Sequence, residues 1–119
     1  MKQNRVREKR VVNDIVVDAY GPQERAMGWF YYLEDRLRFP FRARCVARRP
    51  ISPLRKGDLV TVIGMAPEDE CGREMFVTIE WQAGGLAVPL SQLSPVKPDK
   101  ATAEAVGDWR YWVGMGYEF

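Results

Sequence analysis

KGDLVTVIGMAPEDECGREMFVTIEWQAGGLAVPLSQLSPV, from Lys56 to Val96, decides the fold class. After the turn Arg55-Lys56-Gly57, DLVTVIGM reads as a strand rich in β-branched residues. In MFVTIEW, Met75, Val77, Ile79 and Trp81 alternate with Phe76, Thr78 and Glu80, the period of a half-buried strand. Ala83-Gly84-Gly85 predicts a hairpin turn. LAVPL follows as a short strand, and Pro89 places it at an edge or a rim. SQLSPV supplies a single turn and a closing strand. Just upstream, Phe41, Ala43, Cys45 and Ala47 alternate with Arg42, Arg44 and Arg48, a strand with a basic outer face. Short strands joined by tight turns over residues 41–96 predict a small antiparallel β-barrel.

The strand phrasing resembles an SH3-like barrel. Helices are expected on both sides of it, making the chain α+β. Gly21-Pro22 marks a helix start, with Pro at the first helical position. Ala26, Phe30, Leu33 and Leu37 follow at helical spacing, widened by Met27 and Trp29, so an amphipathic helix is expected over about 22–37. Pro40 disfavours a helical residue before it and ends that helix. Asp99 is a candidate cap for a final helix over about 99–113. Within it, Trp109 and Trp112 stand three apart, a core spacing more than a docking patch. The terminal GYEF is expected to dock onto the barrel. Residues 1–10 read as a basic, flexible, solvated tail, and VVNDIVVDAY from Val11 as a short strand. The rest, 11–119, is expected to form one compact domain, as the length of 119 residues allows a single core.

Composition removes whole classes of chemistry. There is no His, so the commonest general base and zinc ligand are missing. Two Cys cannot complete a four-ligand zinc site, and without an apolar signal region behind MKQNRVREKR they read as reduced cytoplasmic thiols. No run approaches a membrane span. Any metal must therefore be a hard cation held by oxygens, calcium or magnesium. The net charge of +2 hides a segregation. Residues 36–56 carry eight Arg and Lys and no acid, whereas residues 57–80 carry Asp58, Glu68, Asp69, Glu70, Glu74 and Glu80 against Arg73 alone.

The acids concentrate in MAPEDECGREMF, where Glu68, Asp69, Glu70 and Glu74 fall within seven residues. The spacing does not follow the EF-hand loop, which needs alternating short acids. Two readings fit: a solvated loop answered by salt and nearby arginines, or carboxylates of a cation site that suits calcium's loose coordination better than magnesium's octahedron. A second pair, Glu34 and Asp35, ends the first long helix, where carboxylates oppose the helix dipole. Either Arg38 compensates them, or the fold brings them beside the acidic loop as further ligands.

YLED-x-L-x-FPF, GMAPEDEC and DW-x-YW with a terminal GYEF are long, specific motifs, and together the runs from about Asp14 to Phe119 resemble the cyanobacterial calcium-binding protein family. The resemblance implies a small cytoplasmic protein that binds calcium (Ca2+) through clustered carboxylates without an EF-hand, as a buffer or signalling sensor. It implies Glu34 and Asp35 of YLED, and Glu68, Asp69 and Glu70 of APEDEC, as ligand positions, with Glu74 added by proximity. This chain departs from the acidic character of that family, and arginines of the 41–49 strand are positioned in sequence to claim the loop acids.

An alternative uses the opposite charge. Arg42, Arg44 and Arg48 on one strand face, with the basic tail, would make an adaptor for nucleic acid or for a protein partner, although arginines on a solvated strand face also simply protect an edge. An enzyme is not expected. Adjacent acids in one loop give no neutral acid beside an ionised base, and Cys71 among carboxylates is a poor nucleophile.

Overall fold

The computed structural model describes residues 2–119. Helix α1 (Arg5–Arg10) runs into a π-helical turn at Val11–Ile15. Helix α2 (Pro22–Arg36) precedes strands β1 (Phe41–Cys45) and β2 (Leu59–Met65). A 3-10 turn at Glu68–Cys71 leads to β3 (Phe76–Trp81) and β4 (Gly84–Pro89). A second 3-10 turn (Leu90–Gln92), β5 (Leu93–Pro95) and helix α3 (Lys100–Gly114) complete the chain.

The α+β class and the strand alternation are as expected, but the sheet is open. Its antiparallel order is β4-β3-β2-β1-β5, and β4 does not pair with β5. All three ladder residues of β5 pair with β1, so no closing ladder forms and the barrel gives way to a sheet with two edges. The β3–β4 turn also differs from expectation. Gly84 and Gly85 lie inside β4, paired with Trp81 and Glu80, and the turn is Gln82-Ala83 with Gln82 at φ 52°. Gly85 is needed where it stands, because a Cβ there would meet the Thr78 methyl at 2.9 Å.

One apolar core lies between the sheet and helices α2 and α3. The inward residues Ala43, Val60, Val62, Val77, Ile79 and Val88 meet Trp29, Leu33 and Trp109, all of them buried. Trp29 stands edge-on to Trp109 at 5.0 Å between ring centres and lies 5.6 Å from Trp112. Large rings thus weld α2 to α3. The C-terminal residues dock on this helical layer instead of the sheet. Tyr117 packs on Trp112 at 5.1 Å and Phe119 on Trp109 at 6.0 Å, while Arg25 Nε donates to the Phe119 carbonyl at 2.8 Å. Asp99 caps α3 as expected, accepting from the Thr102 N–H at 2.8 Å.

The N-terminal segment departs furthest from its sequence reading. Residues 5–10 are a helix, and no residue of that helix is buried. Charge holds it in place. Arg7 and Arg10 reach Asp108 of α3 at 2.6 and 2.7 Å, and Arg10 adds a second contact at 2.9 Å. Tyr32 of α2 donates to the same carboxylate at 2.6 Å. Glu8 accepts from the hydroxyls of Tyr111 and Tyr117. The segment expected as a strand is helical because Val11 and Ile15, four apart, are its buried residues while Val12, Asn13 and Asp14 face solvent. Gly28 lets α2 approach this turn, since a Cβ there would sit 2.3 Å from the Ile15 carbonyl oxygen.

Asp108 has no exposed surface. Burial alone would raise its pKa, but hydrogen bonds from Arg10, Tyr32 and Arg7 outweigh burial and hold it below the usual carboxylate value of 3.8. Because the folded pKa is the lower one, this group's contribution is complete above the unfolded value and is lost as pH falls through the folded one. Asp108→Ala strands two guanidinium groups, and urea unfolding should show a loss of about 3–5 kcal/mol at pH 7. That difference from the parent should shrink steadily once the pH falls below about 4.

Candidate metal centre

The acidic loop is an ordered turn. Ala66 N donates to Phe76 O at 3.0 Å where β2 ends, and Glu70 N donates to Pro67 O at 2.9 Å, closing the 3-10 turn. Cys71 anchors it from below. Its thiol is 2 % exposed, and its sulfur accepts the Phe76 N–H at 3.4 Å. Burial, foremost, and then the charges of Glu70, Asp69 and Glu68 push the Cys71 thiol up. Glu68, Asp69 and Glu70 themselves are exposed.

A tyrosine ties this turn to α2. The Tyr31 hydroxyl donates to Glu68 Oε1 at 3.0 Å. That hydrogen bond, then the Glu68 charge, raises the Tyr31 pKa, and Glu34 one helical turn along adds to the shift. The fold therefore places the charges of both Glu68 and Glu34 near the Tyr31 phenol. Asp35, the next residue along α2, is exposed and lies 3.9 Å from Arg36 Nε. Glu74 is taken. The Arg49 guanidinium grips it at 2.6 and 3.1 Å and also reaches Ser91 at 3.3 Å.

The expected compensation by strand arginines occurs at one loop acid only, Glu74, which Arg49 claims, and Arg38 does not answer Glu34 or Asp35. Arg42 donates to Thr61 Oγ1, Arg44 to the Gly57 carbonyl, and Arg38 pairs with Asp99 at 3.4 Å. Among the described residues, Glu34, Glu68, Asp69 and Glu70 form no ion pair. Nor do three or more His, Cys, Asp or Glu side chains among the described residues converge into a finished metal cage. The donors fit a hard cation in kind: exposed carboxylates, no imidazole in the chain, and both thiols buried. Their tips must close in on an ion for it to be held. Sequence reasoning missed Tyr31 as the link; it expected an arginine of residues 41–49 to claim a loop acid, and Arg49 claims Glu74. Tyr31 stands three residues before Glu34, so its helical face was legible, whereas the pairing of Arg49 with Glu74 arises only from the fold.

A protein-family model described as calcium binding matches residues 9–113. The chain belongs to this calcium-binding family. The crystal structure of Anabaena CcbP is 38% identical to the chain, with a TM-score of 0.89 over 100% of this chain and 98% of that one. A calcium-binding protein in its calcium-binding form is also 38% identical, with a TM-score of 0.86 over 98% and 96%. No curated protein matches the chain. Calcium is the ion of the family, which binds a metal and is not a family of enzymes. Among the described residues no helix is long and apolar enough to cross a membrane.

The burial of Cys71 makes its thiol a probe of local order in the acidic turn. Native protein at neutral pH should react with an aromatic disulfide reagent slowly at Cys71 and at the equally buried Cys45. Both should react at once in urea. Fast reaction of Cys71 alone under native conditions would show that the acidic turn opens independently of the core.

Proposed function

We propose that the calcium ligands come from Glu68, Asp69 and Glu70 of the 3-10 turn with Glu34, and Asp35 at the margin, of α2, and that the protein acts as a sensor. The observation that carries this reading is that Glu34, Glu68, Asp69 and Glu70 lack cation partners among the described residues while Tyr31 couples the turn to the helix. Calcium accepts six to eight oxygens in loose geometry, so carboxylates that draw in from two elements, with backbone carbonyls and water, suit it. Glu68 can turn fully to an ion only by giving up Tyr31. Ion binding then changes the contact between turn and helix, which is what separates a sensor from a buffer. Glu74 would have to leave Arg49 and is the least available of the six candidate acids. The two free, buried thiols fit a reducing compartment such as the cytoplasm. No catalytic step is assigned: Glu68, Asp69 and Glu70 are all exposed, and the hydrogen bonds of both buried thiols are to backbone groups.

Calorimetric titration of chelator-stripped protein, at physiological salt with millimolar magnesium present, tests the site. Saturable calcium binding is expected. Asp69→Asn with Glu70→Gln should weaken it at least about tenfold, while Glu74→Gln should change it less than about twofold. Complete displacement by magnesium would reduce the acids to a diffuse charged surface. For the sensor reading, amide resonances of α2 around Tyr31 should move with calcium occupancy together with those of the turn. Shifts confined to residues 66–72 would make the protein a buffer.

A further inference from the structure

A groove of about 490 Å³ runs between the first turns of α2 and the acidic 3-10 turn. Its floor is apolar. Ala26 and Phe30 are buried along one wall, Cys71 closes the other, and Met27 stands half-buried at the mouth. Its rim carries Glu68 and Asp69, both exposed and without a cation partner among the described residues. Apolar floor and acidic rim therefore belong to one feature. Methionine at the mouth suits such a surface, because its flexible thioether adapts to differently shaped side chains.

We propose that this groove docks a basic amphipathic segment of a partner protein, an aliphatic side chain entering over Met27 and Phe30 while a neighbouring Lys or Arg meets Glu68 and Asp69. Charge complementarity selects this occupant. Phosphate backbones and anionic lipid surfaces are repelled by the rim. A purely apolar peptide would leave two carboxylates beside it partly desolvated and unpaired. The chain's own net charge is +2, so its overall field does not attract a basic segment. The attraction is local, within the range over which salt does not screen it.

This inference rests on the reading of Glu68 and Asp69 as calcium ligands, and it fixes the direction of coupling. The same two carboxylates cannot serve an ion and a partner's cation fully at once. Calcium therefore releases the segment, and by linkage the segment lowers calcium affinity by the same factor.

Fluorescence anisotropy with a labelled amphipathic peptide of Leu and Lys at helical spacing tests the proposal, with a Leu and Glu peptide as control. Calcium-free protein should bind the Lys peptide saturably and ignore the Glu peptide. Saturating calcium should weaken peptide binding about tenfold, and calorimetry should show calcium affinity reduced equally by the peptide. Met27→Gln keeps the charge and removes the apolar contact. It should weaken the peptide several-fold and leave calcium binding unchanged. Peptide binding that is indifferent to Met27→Gln, or absent altogether, overturns the docking groove. Groove binding that calcium does not affect, in a protein whose calcium heat is normal, overturns the coupling. Absence of calcium heat with intact, Met27-dependent peptide binding overturns the assignment of the ligands and leaves the groove standing.

Discussion

A carboxylate with no exposed surface organises the helical layer. Asp108 gathers Arg7 and Arg10 from α1, Tyr32 from α2 and its own position on α3 into one set of hydrogen bonds. A buried charge is tolerated only when its lone pairs are filled, and here two guanidinium groups and a phenol fill them. The consequence reaches beyond α1. Tyr32 sits beside Tyr31 on α2, so the network that fixes one face of the helix sets the azimuth at which its neighbour meets Glu68. The rings of Trp29, Trp109 and Trp112 supply the bulk of the contact between α2 and α3, and Asp108 makes that contact directional.

Ion pairing sorts the acids into two kinds. Asp99, Glu104, Asp108 and Glu74 lie within ion-pair distance of Arg38, Arg36, Arg7 and Arg10, and Arg49. These hold elements together. Glu34, Glu68, Asp69 and Glu70 are left facing water. A net charge of +2 therefore says little about cation affinity, because acids of the first kind are neutralised by their arginines and those of the second are not. The arginines of β1 spend their donors on Thr61 and the Gly57 carbonyl across the sheet, away from the loop they resemble partners for in the sequence.

Elements with strong periodicity were legible. Ala26, Phe30, Leu33 and Leu37 are all buried, as are Val77 and Ile79, and the ends of α2 and α3 follow Pro22, Pro40 and Asp99 closely. The open sheet was not legible, because closure depends on which strands β5 reaches and three residues carry no such signal. The N-terminal helix was hidden for another reason. Its docking is made by charges whose partner lies about a hundred residues away, and hydropathy sees only a polar tail. VVNDIVV is ambiguous because β-branched residues favour a strand and a spacing of four between Val11 and Ile15 suits either period; only the exposure of Asn13 between them decides for the helix. At the site, the acidic cluster was plain in the sequence; which of its members are free and which are committed required Arg49 and Tyr31 in place.

The turn is built to hold like charges near one another without holding them together. Cys71 and the Phe76 N–H fix its base, and the Glu70–Pro67 hydrogen bond fixes its backbone. The side-chain tips stay solvated, so mutual repulsion is screened while no ion is present. Bringing them inward restores that repulsion and costs side-chain entropy, and only a divalent ion offsets both. If these acids are the ligands, as proposed, affinity is set below what a preformed cage would give. On the proposed assignment of ligands, occupancy of the turn and its contact with α2 change together, because Glu68 belongs to both. A fully preassembled set of ligands would bind more tightly and would have nothing left to move.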